Sequence, residues 1–216
     1  MNSLRNVATL LLLAAGAYGQ GAPAKPDPPP VAPSASVFIG PYSPITGKQR
    51  LGWFVGSTIG PETLAAGVFT SAWGTALNRP KEYGGSWPGF GKRYGLRLTG
   101  ISTSNAMEAA LGAIWGEDPR YFRSYGQSLK GRVLHVIIFS FTAHDRGGHL
   151  RPAYARYIAA SGNNFLSNTW RPDSEANTRS ALSRTALQFA GLIGKNAYIE
   201  IWPDVRSHVF HRGSPH

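Results

Sequence analysis

The sequence predicts an all-α protein, a single bundle of about five or six helices packed through glycine and alanine. Three observations support this fold class. Gly52, Gly56 and Gly60 recur every four residues, so on a helix they share a face that a second backbone can approach closely. Alanines at helical spacing continue smooth faces in residues 106–113 and 153–160. Prolines stand between the apolar segments, where they end helices.

The first 19 residues predict a secretory signal peptide. Arg5 gives the positive start, residues 7–15 form a short apolar core, and small residues precede a cleavage site after Gly19. Such a segment directs export, so we expect the protein in the periplasm or cell envelope.

Composition divides the remaining chain. Residues 20–36 are rich in proline and alanine, which predicts an extended tether outside the fold. The helical domain is expected over 37–205, long enough for one domain with a core. The histidine-containing end, 206–216, is predicted to be a disordered tail.

The first helical pair is expected between Lys48 and Arg79. Gly60-Pro61 interrupts the small-residue pattern, and Pro61 suits the first position of a new helix, with Glu62 in its first turn. The Arg79-Pro80 sequence ends this segment, and residues 81–90 are predicted to be a packed loop.

The central stretch, Gly89 to Ser124, predicts a smooth helix that Pro119 stops. Residues 133–143 are nearly all apolar, and periodicity does not distinguish helix from strand there; length and neighbours favour a helix ended by Gly147-Gly148.

Two further helices are expected near the C-terminus. The first covers residues 151–170. The last begins at a cap provided by Asp173 or Ser174 and stops at Pro203.

The chain is strongly basic, with 22 Lys and Arg against 11 Asp and Glu, a net charge of +11. An exported basic protein favours anionic partners such as a membrane surface or an anionic wall polymer. Nucleic acid is not predicted, because export argues against it and no nucleic-acid-binding motif is present. The chain has no cysteine, so it has no disulfides.

Anion or lipid binding is predicted for a basic set around the central stretch. The alternative interpretation, a wet surface of solvated arginines, is common for short charge clusters. The set comprises Lys92, Arg93, Arg97, Arg120, Arg123, Lys130 and Arg132. A homo-oligomer formed through Gly52, Gly56 and Gly60 is a further possibility.

A hydrolase is the alternative function, and it is the less favoured one. Glu117 or Asp118 with His135 or His144 could perform acid–base chemistry if burial separated their pKa values. The competing interpretation, a salt-bridge network that fixes the turn after the central helix, is favoured. The spacing of the histidines around Asp145 matches no standard metal motif, so neither a metal nor a cofactor is predicted.

Tryptophan marks the ends of three segments, at Trp115, Trp170 and Trp202, each followed by charge and proline. This pattern is typical of an interfacial belt, and equally of Trp closing the ends of a soluble bundle. Because no segment offers about 18 uninterrupted apolar residues, we expect peripheral or partial membrane contact.

Three motifs carry a resemblance. GFGKRYG (residues 89–95), EDPRYFRS (117–124) and the late WPD of Trp202, Pro203 and Asp204 resemble a group of uncharacterised exported bacterial proteins, from about Trp73 to Val205. The resemblance implies a shared fold and no chemistry. The sequence therefore predicts an exported structural or binding protein of the cell envelope.

Overall fold

The computed structural model describes residues 42–124 and 127–210, with side chains to Val205. The described residues belong to one compact unit, 33–216. The predicted signal peptide and tether lie outside them, so these two predictions stay predictions.

Six α-helices, two short 3-10 helices and one small hairpin make up the described fold. They are α1 (Gly47–Ile59), α2 (Pro61–Ala76), a 3-10 helix (Lys81–Tyr83), α3 (Trp87–Trp115), α4 (Leu129–Phe141), β1 (Thr142–His144), β2 (Leu150–Pro152), α5 (Tyr154–Leu166), a second 3-10 helix (Ser167–Thr169) and α6 (Thr178–Phe210). The all-α class is confirmed.

Helix α3 is the centre of the packing. It contacts α1, α2 and α5, while α6 packs against α4 and α5. The antiparallel hairpin pairs Thr142 with Pro152 and His144 with Leu150, and it joins α4 to α5. The turn after α3 therefore meets the end of α4 and the start of α5.

Local sequence explains the first two helices. Thr46 and Gln49 form a capping box at the start of α1, which satisfies two backbone donors. Gly60 separates α1 from α2 and Pro61 begins α2, as expected. The central helix ends at Trp115 and is capped by Gly116, whose φ of 80° is left-handed, so α3 stops four residues before Pro119.

Two predicted boundaries differ in the middle of the chain. The helix over 133–143 ends at Phe141, because Thr142–His144 pairs with Leu150–Pro152 instead. For the same reason Arg151 lies in a strand, and α5 is shorter than the predicted 151–170 helix.

The last helix begins later and ends later than predicted. The side chain of Asn177, and not Asp173 or Ser174, accepts from the amide of Ser180 in the first turn of α6. Pro203 lies inside the helix, which continues to Phe210 and so into the predicted tail. Proline has no N–H to donate to the carbonyl of Ile199, four residues earlier in the helix. The side chains of Arg123 and Arg132 donate to the next carbonyl, that of Glu200.

Small residues occupy the contacts between helices, as predicted. A Cβ at Gly67 would approach the Tyr94 ring to 2.9 Å, and one at Gly112 would approach Arg50 Nη1 to 2.7 Å. Gly52 and Gly56 differ, since an added Cβ there would meet no atom within 4 Å. Their face of α1 is open, so the predicted oligomer contact remains a prediction.

Candidate functional site: a polar interior beneath an apolar surface

The interior of the described fold is polar. Its buried hydrophobic residues are Tyr83, Val136 and six alanines, whereas 14 polar or charged residues are buried. Among the residues whose side chains the structure describes, 26 large hydrophobic residues are exposed. In proteins surrounded by water the usual distribution is the opposite, so both halves of this pattern are informative.

Helix α4 shows the inversion on one element. Its inward face carries His135, Val136 and Ser140, together with Arg132 and Phe139. Apart from Lys130 in the first turn, its outward face is apolar, with side chains that are 37% to 66% exposed. This outer face of α4 consists of Leu129, Val133, Leu134, Ile137, Ile138 and Phe141.

Arg156 is the centre of the polar interior. It is 7% exposed and its Nε donates to Glu108 at 2.9 Å. Its Nη1 donates to the carbonyls of Phe139, Ser140 and Thr142 at 3.1–3.2 Å. A helix leaves its last carbonyls without internal partners, so this one arginine from α5 satisfies the end of α4 inside the bundle.

Arg93 has a similar structural role at the end of α2. It is buried, and its guanidinium donates to the carbonyls of Arg79, Pro80 and Gly84. Arg93, a member of the predicted anion-binding set, therefore fixes the loop between α2 and α3.

A second polar centre surrounds Glu200 of α6, which is 0% exposed. Its carboxylate accepts from Tyr121 Oη at 2.9 Å, the Ser124 amide at 3.1 Å and Arg132 Nε at 3.1 Å. Burial, followed by the hydrogen bond to Glu200, raises the pKa of Tyr121 well above its usual range, so this phenol stays protonated as a donor.

Asp204 lies one turn further along α6 and completes this centre. It accepts from Arg123 at 2.8 Å and also pairs with Arg132. These hydrogen bonds hold the pKa of Asp204 below its usual range. The segment after α3 is thereby tied to the end of α6.

Asp118, one of the two candidate carboxylates, is a structural ion-pair partner. Its side chain is fully buried and accepts from Arg120 Nη2 at 2.6 Å and from Tyr42 Oη at 3.4 Å. Burial and the neighbouring Asp118 raise the pKa of Tyr42 to about 12. The backbone amide of Asp118 also donates to the carbonyl of His144 at 2.9 Å.

Glu117, the other candidate carboxylate, caps helix α5. Its Oε2 accepts from the amide of Ala155 at 2.9 Å, in the first turn of α5, where the helix dipole favours an anion. Burial raises the pKa of this carboxyl, while the hydrogen bond from Ala155 and the charge of Arg156 lower it to a smaller extent.

The raised pKa of Glu117 predicts a pH effect on stability. When a carboxyl binds its proton more tightly in the folded state, the folded protein loses stability as the pH rises from the pKa of that carboxyl in the unfolded chain through its pKa in the folded chain. Glu117→Gln keeps an acceptor for Ala155 but does not titrate, so its stability relative to the native chain should increase as the pH rises above about 4, the usual pKa of a glutamate carboxyl. Urea unfolding across this range measures the difference, and parallel curves for the two chains would contradict the prediction.

His135 and His144 are both held by carbonyls. His135 Nε2 lies 2.7 Å from the carbonyl of Phe122, and His144 Nδ1 lies 2.9 Å from that of Gly148. Both rings contact the ring of Phe139, with centroid distances of 4.1 and 5.4 Å. Within the described parts of the chain, no three His, Asp or Glu residues are placed to share a metal ion.

A narrow cleft brings the two carboxylates together but leaves out the histidines. It is lined by Glu108, Gly112, Glu117, Asp118, Pro119, Ala143 and Ala155. Its interior has no room for a water molecule, and both carboxylates already have protein partners. The geometry therefore gives no support to the hydrolase alternative.

The predicted basic set does not form one exposed surface. Arg93 is buried, Arg97 donates to the carbonyl of Thr63 at 3.3 Å, and Arg120, Arg123 and Arg132 pair with carboxylates. Lys92 and Lys130 are exposed, and they are the members that remain available as predicted anion contacts.

Sequence reasoning missed the two residues around which the interior is built. Arg156 stands within a run of alanines and tyrosines, and Glu200 stands between two isoleucines. A lone charge within an otherwise apolar helical stretch was the available signal, since such a residue is seldom buried without a partner.

No helix of the described chain combines the length and the apolar character needed to cross a membrane. The comparisons with known proteins add no identity. No protein-family model, curated protein or solved structure matches this chain.

Proposed function

We propose that the protein is a structural protein of the bacterial cell envelope whose apolar outer surface contacts lipid. The observation that carries the proposal is the inverted distribution of side chains, with buried ion pairs beneath exposed leucine, isoleucine and aromatic residues. Exposed apolar surface loses its free-energy cost when acyl chains replace water around it.

The outer face of α4 is the clearest lipid-contacting surface. Six large apolar side chains stand side by side on a helix whose opposite face is packed against α6. Lys130 lies exposed in the first turn of this helix, where an ammonium group can reach anionic headgroups. Tyr198 and Trp202, stacked at 5.3 Å and exposed on α6, add an amphipathic aromatic pair of the kind found at interfaces.

Lipid is favoured over a wall polymer because the charges are used internally. A polymer bound by charge needs arginines that face outward, and five members of the basic set have protein partners instead. The cleft beside Glu117 and Asp118 has no room for a water molecule, so it gives the catalytic alternative no substrate site there. The described surface, with its many exposed apolar side chains, is best suited to hydrophobic contact.

Fractionation of cell envelopes tests the proposal. We expect the protein to stay with the envelope through a high-salt wash and to be released by detergent, because salt screens charges and leaves apolar contacts intact. Release by salt alone would contradict lipid contact through the apolar surface and would favour Lys92 and Lys130 as the binding groups.

A charged pair on the outer face of α4 should weaken membrane association. Leu134 and Ile138 are 57% and 42% exposed and lie one turn apart. Leu134→Glu with Ile138→Glu should lower flotation with phosphatidylcholine vesicles containing some phosphatidylglycerol by at least about tenfold, because each large apolar side chain contributes about 1.5–3 kcal/mol when fully buried.

The matched control is Thr178→Glu, a new carboxylate at an exposed position in the first turn of α6. Helical circular dichroism in detergent should be the same for both variants and the native chain. Flotation of the double variant equal to that of the control would show that the outer face of α4 does not contact lipid.

A further inference from the structure

The connection between α2 and α3 presents apolar side chains and cations side by side. Phe69 and Trp73 in α2, and Leu77 at its C-cap, recur every four residues, so they share one face of the helix. These residues are 70%, 61% and 52% exposed, and we call them the α2 ridge. The chain turns directly after the ridge, and Arg79 and Lys81 are exposed in that turn. Large apolar side chains exposed together in this way mark an interaction surface.

Hydrogen bonds fix the position of this turn. The guanidinium of Arg93, which is buried, donates to the carbonyls of Arg79, Pro80 and Gly84 at 3.0, 2.9 and 2.6 Å. The amide of Arg79 donates to the carbonyl of Gly74 in α2 at 3.0 Å. The turn is therefore held against the last turn of α2, and its exposed cations stand at the end of the α2 ridge. A surface that is ordered before it binds loses less conformational entropy on binding.

The start of α3 adds a third cation and another exposed aromatic ring. Lys92 Nζ lies 5.0 Å from the centroid of the ring of Tyr83, which is two residues after Lys81, so Lys92 reaches the same turn. Trp87 is 82% exposed, and its ring contacts that of Phe90 with 5.7 Å between the centroids. Apolar groups and cations thus occur on both sides of the turn.

Positive charge exceeds negative charge at the turn. Arg79, Lys81 and Lys92 are exposed, and within the described residues none of them forms a salt bridge with a carboxylate. Glu82 is the carboxylate of the turn, so three cations stand against one anion. Cations bordered by Trp, Phe and Leu suit the surface of a membrane with anionic headgroups, where cations meet phosphates and aromatic rings lie between headgroups and acyl chains. A second copy docked through the same face would instead oppose these cations with its own.

We propose that the α2 ridge, together with Arg79, Lys81 and Lys92, is an anchor for bilayers that contain anionic phospholipid. Its apolar side chains enter the boundary between headgroups and acyl chains, and its cations pair with headgroup phosphates. This anchor rests on the lipid-contacting function proposed for the protein, and adds to it a second contact surface with a preference for anionic headgroups. The outer face of α4 has one lysine beside it, whereas the anchor supplies three cations.

Vesicle flotation at constant ionic strength tests this preference. We expect the native chain to associate at least about tenfold more tightly with phosphatidylcholine vesicles containing phosphatidylglycerol than with phosphatidylcholine alone, because each cation near an anionic surface contributes roughly fivefold. Arg79→Gln with Lys81→Gln should lower association with the anionic vesicles by about tenfold or more and leave association with phosphatidylcholine alone unchanged. The matched control, Lys48→Gln with Arg179→Gln, removes the same charge from exposed positions outside the turn and should associate as the native chain does.

A fluorescent label tests the apolar part of the anchor. The chain has no cysteine, so Leu77→Cys provides a single site for an environment-sensitive nitrobenzoxadiazole label. The emission of this label should shift to shorter wavelength when anionic vesicles are added, while the same label on Arg179→Cys should not respond. A shift that appears without vesicles as the protein concentration rises would show that a second copy covers the α2 ridge, and it would overturn the proposal.

The outcomes separate the anchor from the proposed function. If the native chain floats equally with both kinds of vesicle and Arg79→Gln with Lys81→Gln changes nothing, the anchor is overturned while lipid contact through α4 stands. If the chain labelled at residue 77 floats with no change in emission, the α2 ridge does not enter the bilayer and the anchor is overturned in the same way. If the native chain floats with neither kind of vesicle, the anchor and the lipid contact both fail.

Discussion

Arg156→Met is expected to lower the free energy of unfolding by about 3–5 kcal/mol, the range found when one partner of a buried ion pair is removed. The substitution leaves the Glu108 carboxylate without its 2.9 Å partner. It also leaves three carbonyls near the end of α4 without a donor, in a place that water does not readily reach. Methionine fills part of the volume, so the loss reports the polar contacts more than a cavity.

Chemical unfolding of the native chain and the variant in the same mild detergent measures this effect. Arg179→Met is the matched control, since Arg179 is exposed on α6. The double variant Arg156→Met with Glu108→Leu should recover part of the loss, because it removes the unpaired charge but not the unpaired carbonyls. Equal stability of Arg156→Met and the control would show that the interior does not depend on this guanidinium.

Glu200→Ala is the second substitution with a large expected effect, also about 3–5 kcal/mol. It removes the acceptor shared by Tyr121, Ser124 and Arg132, each of which then points a donor into a closed space. The segment after α3 would lose a major attachment to α6, so we expect its amides to exchange with solvent faster as well as a lower unfolding free energy.

Hydrogen exchange of residues 117–124, together with chemical unfolding, checks this prediction. Asp173→Ala is the control, because Asp173 is an exposed carboxylate in the turn before α6. Glu200→Gln is informative too: it keeps one acceptor oxygen, which Tyr121 and the Ser124 amide can share, but no longer neutralises Arg132. If Glu200→Ala loses no more stability than Asp173→Ala, the buried network does not hold the two segments together.

Arg156→Met and Glu200→Ala change the stability of the fold, whereas lipid contact depends on exposed side chains. The two can therefore be separated by experiment, since Leu134→Glu with Ile138→Glu changes exposed side chains that make no polar contact with the interior. A chain that keeps its unfolding free energy in detergent but loses vesicle association would place the function on the outer face of α4.

The sequence by itself was sufficient to predict the all-α class and the packing of helices through small residues. Small residues at spacing four occur in it, and residues such as Gly67 and Gly112 do lie where neighbouring groups leave no space for a side chain. The break at Gly60-Pro61 was also predictable, because both residues have a strong local effect on the backbone. Helix boundaries that depend on the local backbone preferences of glycine and proline could therefore be predicted from the sequence.

The tertiary structure decided which charges face inward. Arg93 and Arg132 are residues of the type that binds anions, but Arg93 donates to backbone carbonyls and Arg132 pairs with the carboxylate of Glu200, 68 residues away in the sequence. The boundary at Phe141 was set by a strand pairing that periodicity does not reveal. A helical pattern in the sequence shows that one face of a helix is apolar and the other polar. Whether the apolar face turns to the core or to the outside depends on the elements packed around the helix. In α4 the apolar face is the outer one.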